Sequence, residues 1–247
     1  MAQAPARRTA IVIVAKAPIA GIAKTRLGRA IGFVEAARLY EAFLLDTLEM
    51  LETGSEESPS VFNVVGRWVT CPDISHASAL AHIVSSGWSV VPQRRTGLMG
   101  ALADSFEDGF AVGAEVVVII DADSPGLPFA HVEECVRCTI NNQVVLGPTH
   151  DGGYYLIAAR RDIEKFATDV VLGRSYVSET ICDDTIKHAE KVGLTTARGP
   201  IGFDVDTIED LGRLIRDLPG RSPVEMQRTR AALAAIASIP GEPRRHR

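Results

Sequence analysis

Apolar residues follow two alternating patterns along most of the chain. Uninterrupted apolar runs, such as residues 9–15 (TAIVIVA) and 116–120 (VVVII), are typical of strands that are buried on both faces of a parallel sheet. Other stretches, such as residues 34–51, place apolar side chains at three- and four-residue steps, which predicts amphipathic helices. This alternation predicts an α/β fold, a three-layer α/β/α sandwich with a mainly parallel central sheet.

The same patterns predict the remaining elements. Strands are expected at residues 61–65, 88–91, 143–146, 154–159 and 194–197. Helices are expected at residues 74–84, 98–110 and 129–140, from residue 207, and at 224–239, with residues 160–192 mostly helical around a break near Gly173. The length permits one large domain or two small ones, and we expect a single domain over residues 9–239, between a tail at 1–8 and a basic tail at 240–247.

The central apolar strand at residues 116–120 ends in two carboxylates, Asp121 and Asp123. Ligands of open α/β sheets bind in the crevice at the carboxyl ends of the strands. A carboxylate there costs solvation free energy unless it is paired or bound to a cation, and Mg2+ or Mn2+ bridged to phosphate oxygens is the natural partner. The alternative is that one aspartate caps the helix beginning near Pro128 while the other lies in solvent.

The loop after the first strand is basic. It follows Ala15 and contains Lys16, Gly21, Lys24 and Arg26. Backbone N–H groups and three cations at the carboxyl edge of a sheet predict an anion cradle for the phosphates of a nucleotide. The loop matches neither the P-loop pattern nor G-x-G-x-x-G. The alternative is a solvated basic loop, which the position directly after a central strand disfavours.

Gln93 lies with Arg94 and Arg95 in the loop after the strand at residues 88–91. These side chains could read a base or a sugar through hydrogen bonds, or the arginines could be plain surface charges.

A turn with paired glycines follows the strand at residues 143–146. Gly152 and Gly153 allow positive φ and close approach of another backbone or a ligand. Asp151 is a candidate contact for a substrate hydroxyl or a metal, and its alternative role is an Asx turn.

Asp204 and Asp206 precede the helix that begins at Thr207. Thr207 with Asp210 is typical of a helix N-terminus that is capped in both directions. One of the two preceding aspartates could complete a metal shell begun at Asp123, or both could only fix the start of the helix.

Charge and cysteine content narrow the function classes. Lys plus Arg total 26 against 31 Asp plus Glu, a net charge of -5, which argues against a nucleic-acid partner. Cys135 and Cys138 form a C-x-x-C within a predicted helix, without a second pair, so we expect two partly buried thiols rather than a zinc or redox site. The chain has no bilayer-spanning apolar run and no signal-peptide core, so a reduced, cytoplasmic setting is expected.

Four segments together resemble the GT-A-like nucleotide-diphospho-sugar transferase superfamily. They are residues 15–27 (AKAPIAGIAKTRL), 121–128 (DADSPGLP), 147–157 (GPTHDGGYYLI) and 204–211 (DVDTIEDL). They occur in the order of the family and cover most of the chain. Within the superfamily, the chain resembles a bacterial glycosyltransferase family related to molybdenum-cofactor and 2-phospho-lactate guanylyltransferases.

The resemblance implies a transferase domain that binds a nucleoside di- or triphosphate over the first loop. It implies a divalent metal at the DxD-like Asp123 and phosphate contacts from Lys24 and Arg26. The chain departs from the family at Asp121-Ala122, where Gly-Thr is usual, and at residues 174–178 (RSYVS), where Trp-Ser-Thr is common. The second departure falls in the expected acceptor pocket, so the identity of the acceptor is the property that the resemblance implies least.

The candidate site is therefore a set of residues with four expected roles. Catalytic candidates are Lys24 and Asp151; nucleotide-binding candidates are Ala15, Lys16, Gly21, Lys24, Arg26 and Gln93; metal candidates for Mg2+ or Mn2+ are Asp121, Asp123 and Asp206; acceptor or sugar candidates are Asp151, Gly152 and Gly153.

Two transfer reactions fit this set. The first moves a glycosyl group from a nucleotide sugar to a small acceptor, and the DxD pair favours it. The second moves a nucleotidyl group from an NTP to a phosphate- or carboxylate-bearing acceptor with release of pyrophosphate, and the basic loop favours it. Both use metal-bridged phosphates and basic side chains to offset developing charge. A nucleotide-binding regulatory module without turnover is the non-enzymatic alternative.

Overall fold

The computed structural model describes residues 6–163 and 179–236. Over these residues the strands are β1 (Arg7–Val14), β2 (Phe62–Cys71), β3 (Ser89–Pro92), β4 (Val116–Asp121), β5 (Val144–Pro148), β6 (Tyr154–Arg160) and β7 (Thr196–Arg198). They form one sheet in the order β3-β2-β1-β4-β6-β5-β7. β6 runs antiparallel to β4 and β5, and the other neighbouring pairs are parallel.

The helices connect these strands over both faces of the sheet. Those of the described residues are α1 (Thr25–Ile31), α2 (Phe33–Glu57), α3 (Ile74–Leu80), α4 (Gly97–Ala111), α5 (Phe129–Cys138), α6 (Ile181–Lys191), α7 (Ile208–Asp217) and α8 (Gln227–Ala235). Short 3-10 turns lie at Arg161–Ile163 and Leu218–Gly220. Within the part of the chain that the structure describes, none of the helices combines the length and apolarity that a membrane crossing requires.

Alternation of side chains along the buried strands creates a core on each face of the sheet. Ile11 and Ile13 of β1 contribute to the core shared with α2 and α5, while Ala10 and Val12 contribute to the core shared with α4 and α6. A third apolar cluster joins α1, the other side of α2, α7 and α8. The three-layer α/β/α architecture with a mainly parallel sheet is therefore confirmed.

The parallel strands all end at one edge of the sheet, and the antiparallel β6 begins there. The loops after β1, β3, β4 and β5, and the segment after β7, therefore meet at this edge. An isolated bridge between Thr149 and Gly202 ties the last segment to the turn after β5. The topology thus brings the four segments that carry the family resemblance to one place.

Several element boundaries differ from the sequence prediction. β2 extends to Cys71 instead of ending near residue 65, and α2 continues to Glu57. α1 was not predicted at all, so Arg26 lies on a helix rather than in a loop. Residues 164–178 of the segment expected to be mostly helical, which include Gly173, lie outside the described residues, as do residues 237–239 of the last predicted helix.

Local capping decides two further points. Thr207 and Asp210 form the expected capping box at the start of α7. Pro128 is the N-cap of α5 and no side chain caps that helix, so the alternative in which Asp121 or Asp123 serves as its cap is wrong.

Burial raises the pKa of Cys135 to about 12 and also raises that of Cys138, so both thiols on α5 stay protonated at neutral pH.

Candidate active site

The cleft at the carboxyl edge of the sheet contains most of the predicted site residues. Its volume is about 690 Å³, within the usual range of small-molecule sites. From the predicted set it is lined by Ala15, Lys16, Lys24, Arg26, Gln93, Asp121, Asp123, Asp151, Gly153 and Asp206, and Asp204 joins them. Gly21 and Gly152 lie in the same loops but outside this lining.

Lys24 lies in this cleft and joins three segments of the chain. Its Nζ lies 2.8 Å from Oδ1 of Asp123 and 2.8 Å from Oδ1 of Asp206, and its side chain is only 2% exposed. Its backbone is left-handed (φ 50°, ψ 48°) directly before α1, which costs free energy for a residue other than glycine. Burial alone would lower the pKa of Lys24, but the two carboxylates outweigh burial and raise it, so the ammonium stays charged.

Two further carboxyl groups of the cleft have raised pKa values. Burial is the main cause that raises the pKa of Asp121 well above its usual value, and the charge of Asp123 adds to it. Burial and then the charge of Asp151 raise the pKa of Asp204 to about 6. Asp121 accepts hydrogen bonds from the N–H of Asp123 at 3.2 Å and the hydroxyl of Ser124 at 3.1 Å. The cleft thus collects more carboxylates than its cations neutralise.

A divalent cation fits this donor set on chemical grounds. All the donors are carboxylate oxygens, which hard cations such as Mg2+ prefer, and another positive charge would relieve their crowding. No three His, Cys, Asp or Glu side chains of residues 6–163 and 179–236 form a group that could hold an ion by themselves. Mg2+ needs only one or two carboxylates when phosphates and waters complete its shell, so the site suits an ion that arrives with a phosphate ligand.

The backbone amides at the start of the basic loop are already hydrogen-bonded. The N–H of Lys16 donates to the hydroxyl oxygen of Tyr40 at 3.1 Å, and the N–H of Ala17 donates to Nδ1 of His76 at 2.8 Å. These two amides do not face an empty anion cradle, contrary to the sequence expectation for this loop. The side chains of Lys16 and Arg26 remain exposed, and Nη1 of Arg26 lies 4.0 Å from Asp206.

Gln93 lines the cleft, whereas the two arginines after it do not. Nε2 of Gln93 donates to the carbonyl oxygen of Gly97 at 3.3 Å, which orients the amide. Arg94 and Arg95 form ion pairs with carboxylates of α4, namely those of Asp104, Glu107 and Asp108. The arginines therefore act as structural surface charges, one of the two roles that the sequence left open.

Asp151 forms the Asx turn that the sequence allowed as its alternative role. Its Oδ1 accepts from the hydroxyl of Thr149 at 2.5 Å and from the N–H of Gly153 at 3.1 Å. The other oxygen has no such turn partner, and the residue is exposed in the cleft. Gly152 has φ +91°, and a Cβ there would collide with the carbonyl of Glu179, so a backbone rather than a ligand makes the close approach.

Sequence reasoning missed two residues that hold the basic loop. Neither Tyr40 nor His76 is among the predicted site residues. The two side chains accept hydrogen bonds from the backbone N–H groups of Lys16 and Ala17, respectively. The partners Ala17 and His76 are 59 residues apart, so no local spacing could have paired them.

Known structures share this architecture. A protein from Desulfovibrio desulfuricans G20, provisionally named a nucleotide-diphospho-sugar transferase, is 25% identical, with a TM-score of 0.78 over 92% of this chain and 96% of that chain. The chain has the fold of the nucleotide-diphospho-sugar transferases. The resemblance to the GT-A-like superfamily is thereby confirmed.

More distant structures show the same transferase fold. One is 4-diphosphocytidyl-2C-methyl-D-erythritol synthase from Anaerococcus prevotii DSM 20548, 11% identical over 86% of this chain and 99% of that chain, with a TM-score of 0.57. Another is glucosyl-3-phosphoglycerate synthase from Mycobacterium tuberculosis in complex with Mn2+, UDP and glucosyl-3-phosphoglycerate, 15% identical over 95% and 81%, with a TM-score of 0.53. At such identities the likeness concerns the fold alone.

A bacterial family model matches part of the sequence. The model of a bacterial family described as "Uncharacterized protein conserved in bacteria (DUF2064)" matches residues 62–174, which include Asp121, Asp123 and Asp151. None of the curated proteins matches the chain.

Proposed function

We propose that this protein is a metal-dependent transferase with a nucleotide-activated donor, and that it transfers a glycosyl group from a nucleotide sugar to a small acceptor. The observation that carries the proposal is the arrangement of Lys24 between Asp123 and Asp206, in a cleft at the carboxyl edge of the sheet. The fold supports it, because solved structures with this fold include a 4-diphosphocytidyl-2C-methyl-D-erythritol synthase and a glucosyl-3-phosphoglycerate synthase bound to Mn2+ and UDP.

The carboxylates of the cleft suit the metal. One or two of the candidate ligands Asp121, Asp123 and Asp206 would hold Mg2+ or Mn2+, with phosphate oxygens of the donor and waters completing its shell. When bound, such an ion offsets the charge that develops on a leaving nucleoside diphosphate. The ammonium of Lys24 lies against two of these carboxylates and adds a fixed positive charge beside them.

The remaining cleft residues divide between donor and acceptor. Lys16 and Arg26 offer exposed cations to the phosphates, and Gln93 after β3 offers its amide to the base or the sugar. Asp151 offers the carboxylate oxygen that the Asx turn leaves free, and we assign it to the sugar or acceptor side with Gly153. Gly21 and Gly152 have positive φ and shape the turns beside the cleft, and their assignment to the nucleotide and acceptor sides stays a prediction.

Nucleotidyl transfer is the second candidate function, and the exposed cations favour it. That reaction must stabilise a leaving pyrophosphate, which needs positive charge around the β- and γ-phosphates of an NTP. Lys16 and Arg26 could supply that charge. Against this, Lys24 is held by two carboxylates and the first loop amides are internally bonded, so less of the loop is available to a triphosphate than its composition suggests.

The two reactions are separated by their products. The protein is incubated with Mn2+, a panel of nucleotide sugars and NTPs, and a pool of cell metabolites as acceptors. Ion-exchange chromatography then detects free UDP or GDP, and a pyrophosphate assay detects nucleotidyl transfer. Consumption of a nucleotide sugar with release of UDP or GDP is expected. Pyrophosphate release from an NTP with no nucleotide sugar consumed would reverse the ranking, and nucleotide binding without any turnover would indicate a regulatory module.

A further inference from the structure

The basic loop of residues 16–24 is held at its start by two side chains from separate helices. Tyr40 of α2 accepts the N–H of Lys16, and His76 of α3 accepts the N–H of Ala17. We propose that Tyr40 and His76 are positioning residues that fix this loop in the form in which Lys16 lies exposed for the phosphates of the donor and Lys24 stays paired with Asp123 and Asp206. The expected effect on phosphate binding rests on the proposed function. The restraint on the loop rests only on the two hydrogen bonds, from Lys16 to Tyr40 and from Ala17 to His76.

His76 is well placed to act as a fixed acceptor. The N-cap Asp73 accepts the N–H groups of both Ser75 and His76, so the first turn of α3 is rigid where the imidazole begins. Because Nδ1 accepts a hydrogen bond, a neutral ring carries its proton on Nε2. Ala17 is fully buried, so its N–H has no access to water if this acceptor is removed.

Tyr40 contacts both ends of the same loop. Its hydroxyl oxygen accepts from Lys16, and its ring lies 5.9 Å from Nζ of Lys24. The side chain is 4% exposed and packs in the core between α2 and the sheet, so it cannot follow a moving loop. The same side chain therefore contacts the start of the loop through a hydrogen bond and its end through the ammonium of Lys24.

Small apolar residues of the loop are buried in the core, whereas its larger apolar residues are exposed. Ala15, Ala17 and Ala23 are buried in the core beneath the loop, while Ile19 and Ile22 are exposed. The chain between the buried positions is short, so loss of either polar anchor frees the segment that carries the exposed Lys16 and the paired Lys24. The amides of Lys16 and Ala17 hold the loop in place, so it is the side chain of Lys16 that the loop offers to a phosphate.

The two ring nitrogens of His76 allow a matched test. In His76→Asn the amide oxygen stands the same number of bonds from Cα as Nδ1 and can accept from Ala17. In His76→Gln the amide group stands one bond further out, at the place of Nε2, and the acceptor position is lost. Tyr40→Phe removes only the hydroxyl, and His82→Asn is the control, because His82 is exposed and follows the same helix.

Backbone amide exchange by mass spectrometry reads the restraint directly. Exchange over residues 15–24 is expected to rise at least about tenfold in His76→Gln and Tyr40→Phe, and to remain near wild type in His76→Asn and His82→Asn. The melting temperature and the exchange of β4 are measured in parallel. Unchanged loop exchange in both disruptive variants, or a uniform rise together with a lowered melting temperature, would overturn the proposal.

Binding of UDP and GDP with Mn2+, compared with uridine and guanosine, reads the consequence. Diphosphate affinity is expected to fall about 5- to 30-fold in the two disruptive variants and to recover in His76→Asn, while nucleoside affinity stays unchanged. Equal losses for nucleoside and diphosphate would contradict a role in phosphate presentation. If the wild-type protein binds neither diphosphate, the proposed function fails on its own, and the exchange experiment still decides whether the two side chains hold the loop.

Discussion

Lys24 neutralises part of a carboxylate cluster from within the chain. Its left-handed backbone and its burial cost free energy, and its two ion pairs at 2.8 Å hold the ammonium in one place; a lysine on the surface has none of these features. The three segments it joins follow β1, β4 and β7, and the N–H of Val205 also donates to the carbonyl oxygen of Asp123 at 2.9 Å, so the ammonium group adds to a backbone contact between the last two segments. Removing it leaves Asp123 and Asp206 facing each other, although their side chains, 41% and 39% exposed, can still relax into water.

Lys24→Met should therefore weaken nucleotide diphosphate binding more than it destabilises the fold. The expected loss of binding free energy is about 1.5–3 kcal/mol, the scale of a hydrogen bond to a charged group. Isothermal titration with UDP or GDP and Mn2+ measures it, and urea unfolding measures stability. Arg26→Met is the stability control, because this side chain is 70% exposed and should cost less than about 1 kcal/mol. Unaltered affinity in Lys24→Met would remove Lys24 from the phosphate site.

The Asp151→Asn variant distinguishes the role of the oxygen that forms the turn from the role of the oxygen that faces the cleft. Asparagine keeps an oxygen that can accept from Thr149 and Gly153, and it loses the negative charge of the free oxygen. The turnover rate should fall by about 10²- to 10⁴-fold if that oxygen takes a proton from the acceptor, while nucleotide affinity stays within about twofold. Thr149→Val is the control, because it disturbs the turn and keeps the charge. A variant with normal turnover would leave Asp151 with its structural role alone.

At the scale of elements, α4 stabilises the loop after β3 through one buried carboxylate. Oδ2 of Asp104 accepts the N–H groups of Arg94 at 2.5 Å and Arg95 at 2.8 Å, and Oδ1 pairs with the guanidinium of Arg95. Burial alone would raise the pKa of Asp104, but these backbone and side-chain hydrogen bonds outweigh it and lower the pKa. The helix thus fixes the loop that places Gln93 in the cleft.

The lowered pKa of Asp104 sets the sign of a pH effect on stability. Its contribution is fully present above the unfolded-state pKa of about 3.9 and is lost as the pH falls through the lower folded-state pKa. Asp104→Asn should cost about 1–3 kcal/mol at pH 7 and progressively less below pH 4. Urea unfolding between pH 2.5 and 7 measures the difference in free energy of unfolding between the variant and wild type. The contributions of the other carboxyl groups are the same in both proteins and cancel in this difference. A difference that stays constant with pH would contradict this assignment.

The elements that could be predicted from sequence are those whose pattern is local. β4 and β1 each contain an uninterrupted apolar run, and the predicted ends of both lie within two residues of the observed ones. α1 was missed because its seven residues, TRLGRAI, lie directly after a loop of Gly, Pro and cations and are separated from α2 by Gly32 alone. Its apolar partners lie in α2, α7 and α8, so tertiary packing rather than periodicity defines it.

The candidate site also contains residues that a local pattern predicts and contacts that only the folded chain shows. The carboxylates after β4 and before α7 could be found because buried strands and capping residues mark their positions. The pairing of Lys24 with Asp206 spans 182 residues, and the support from Tyr40 and His76 comes from helices on separate parts of the chain. Contacts of this range depend on the sheet order, which no segment of the sequence encodes by itself.

At the scale of the whole molecule, the sheet order concentrates negative charge at one edge. Because β6 is antiparallel, the turn after β5 returns to the same edge as the segments after β4 and β7. Asp121, Asp123, Asp151, Asp204 and Asp206 are thereby brought into one cleft, with Lys24 as their buried cation. The fold stores electrostatic repulsion at this edge that a bound cation with its phosphate ligand would relieve.

Binding at this edge should therefore stabilise the whole chain, and only when metal and diphosphate are both present. A ligand at 100 times its Kd adds about 2.7 kcal/mol to the free energy of unfolding. For a chain of this size that corresponds to a rise in melting temperature of about 5–10 °C. Thermal unfolding with UDP or GDP, each with Mn2+ or with EDTA, measures the shift. Asp123→Asn should keep the fold, since Lys24 retains its ion pair with Asp206 and the amide oxygen can still accept from the ammonium, and it should abolish the metal-dependent part of the shift. A shift of equal size in EDTA, or in Asp123→Asn with Mn2+, would show that nucleotide binding does not use a metal held by this carboxylate.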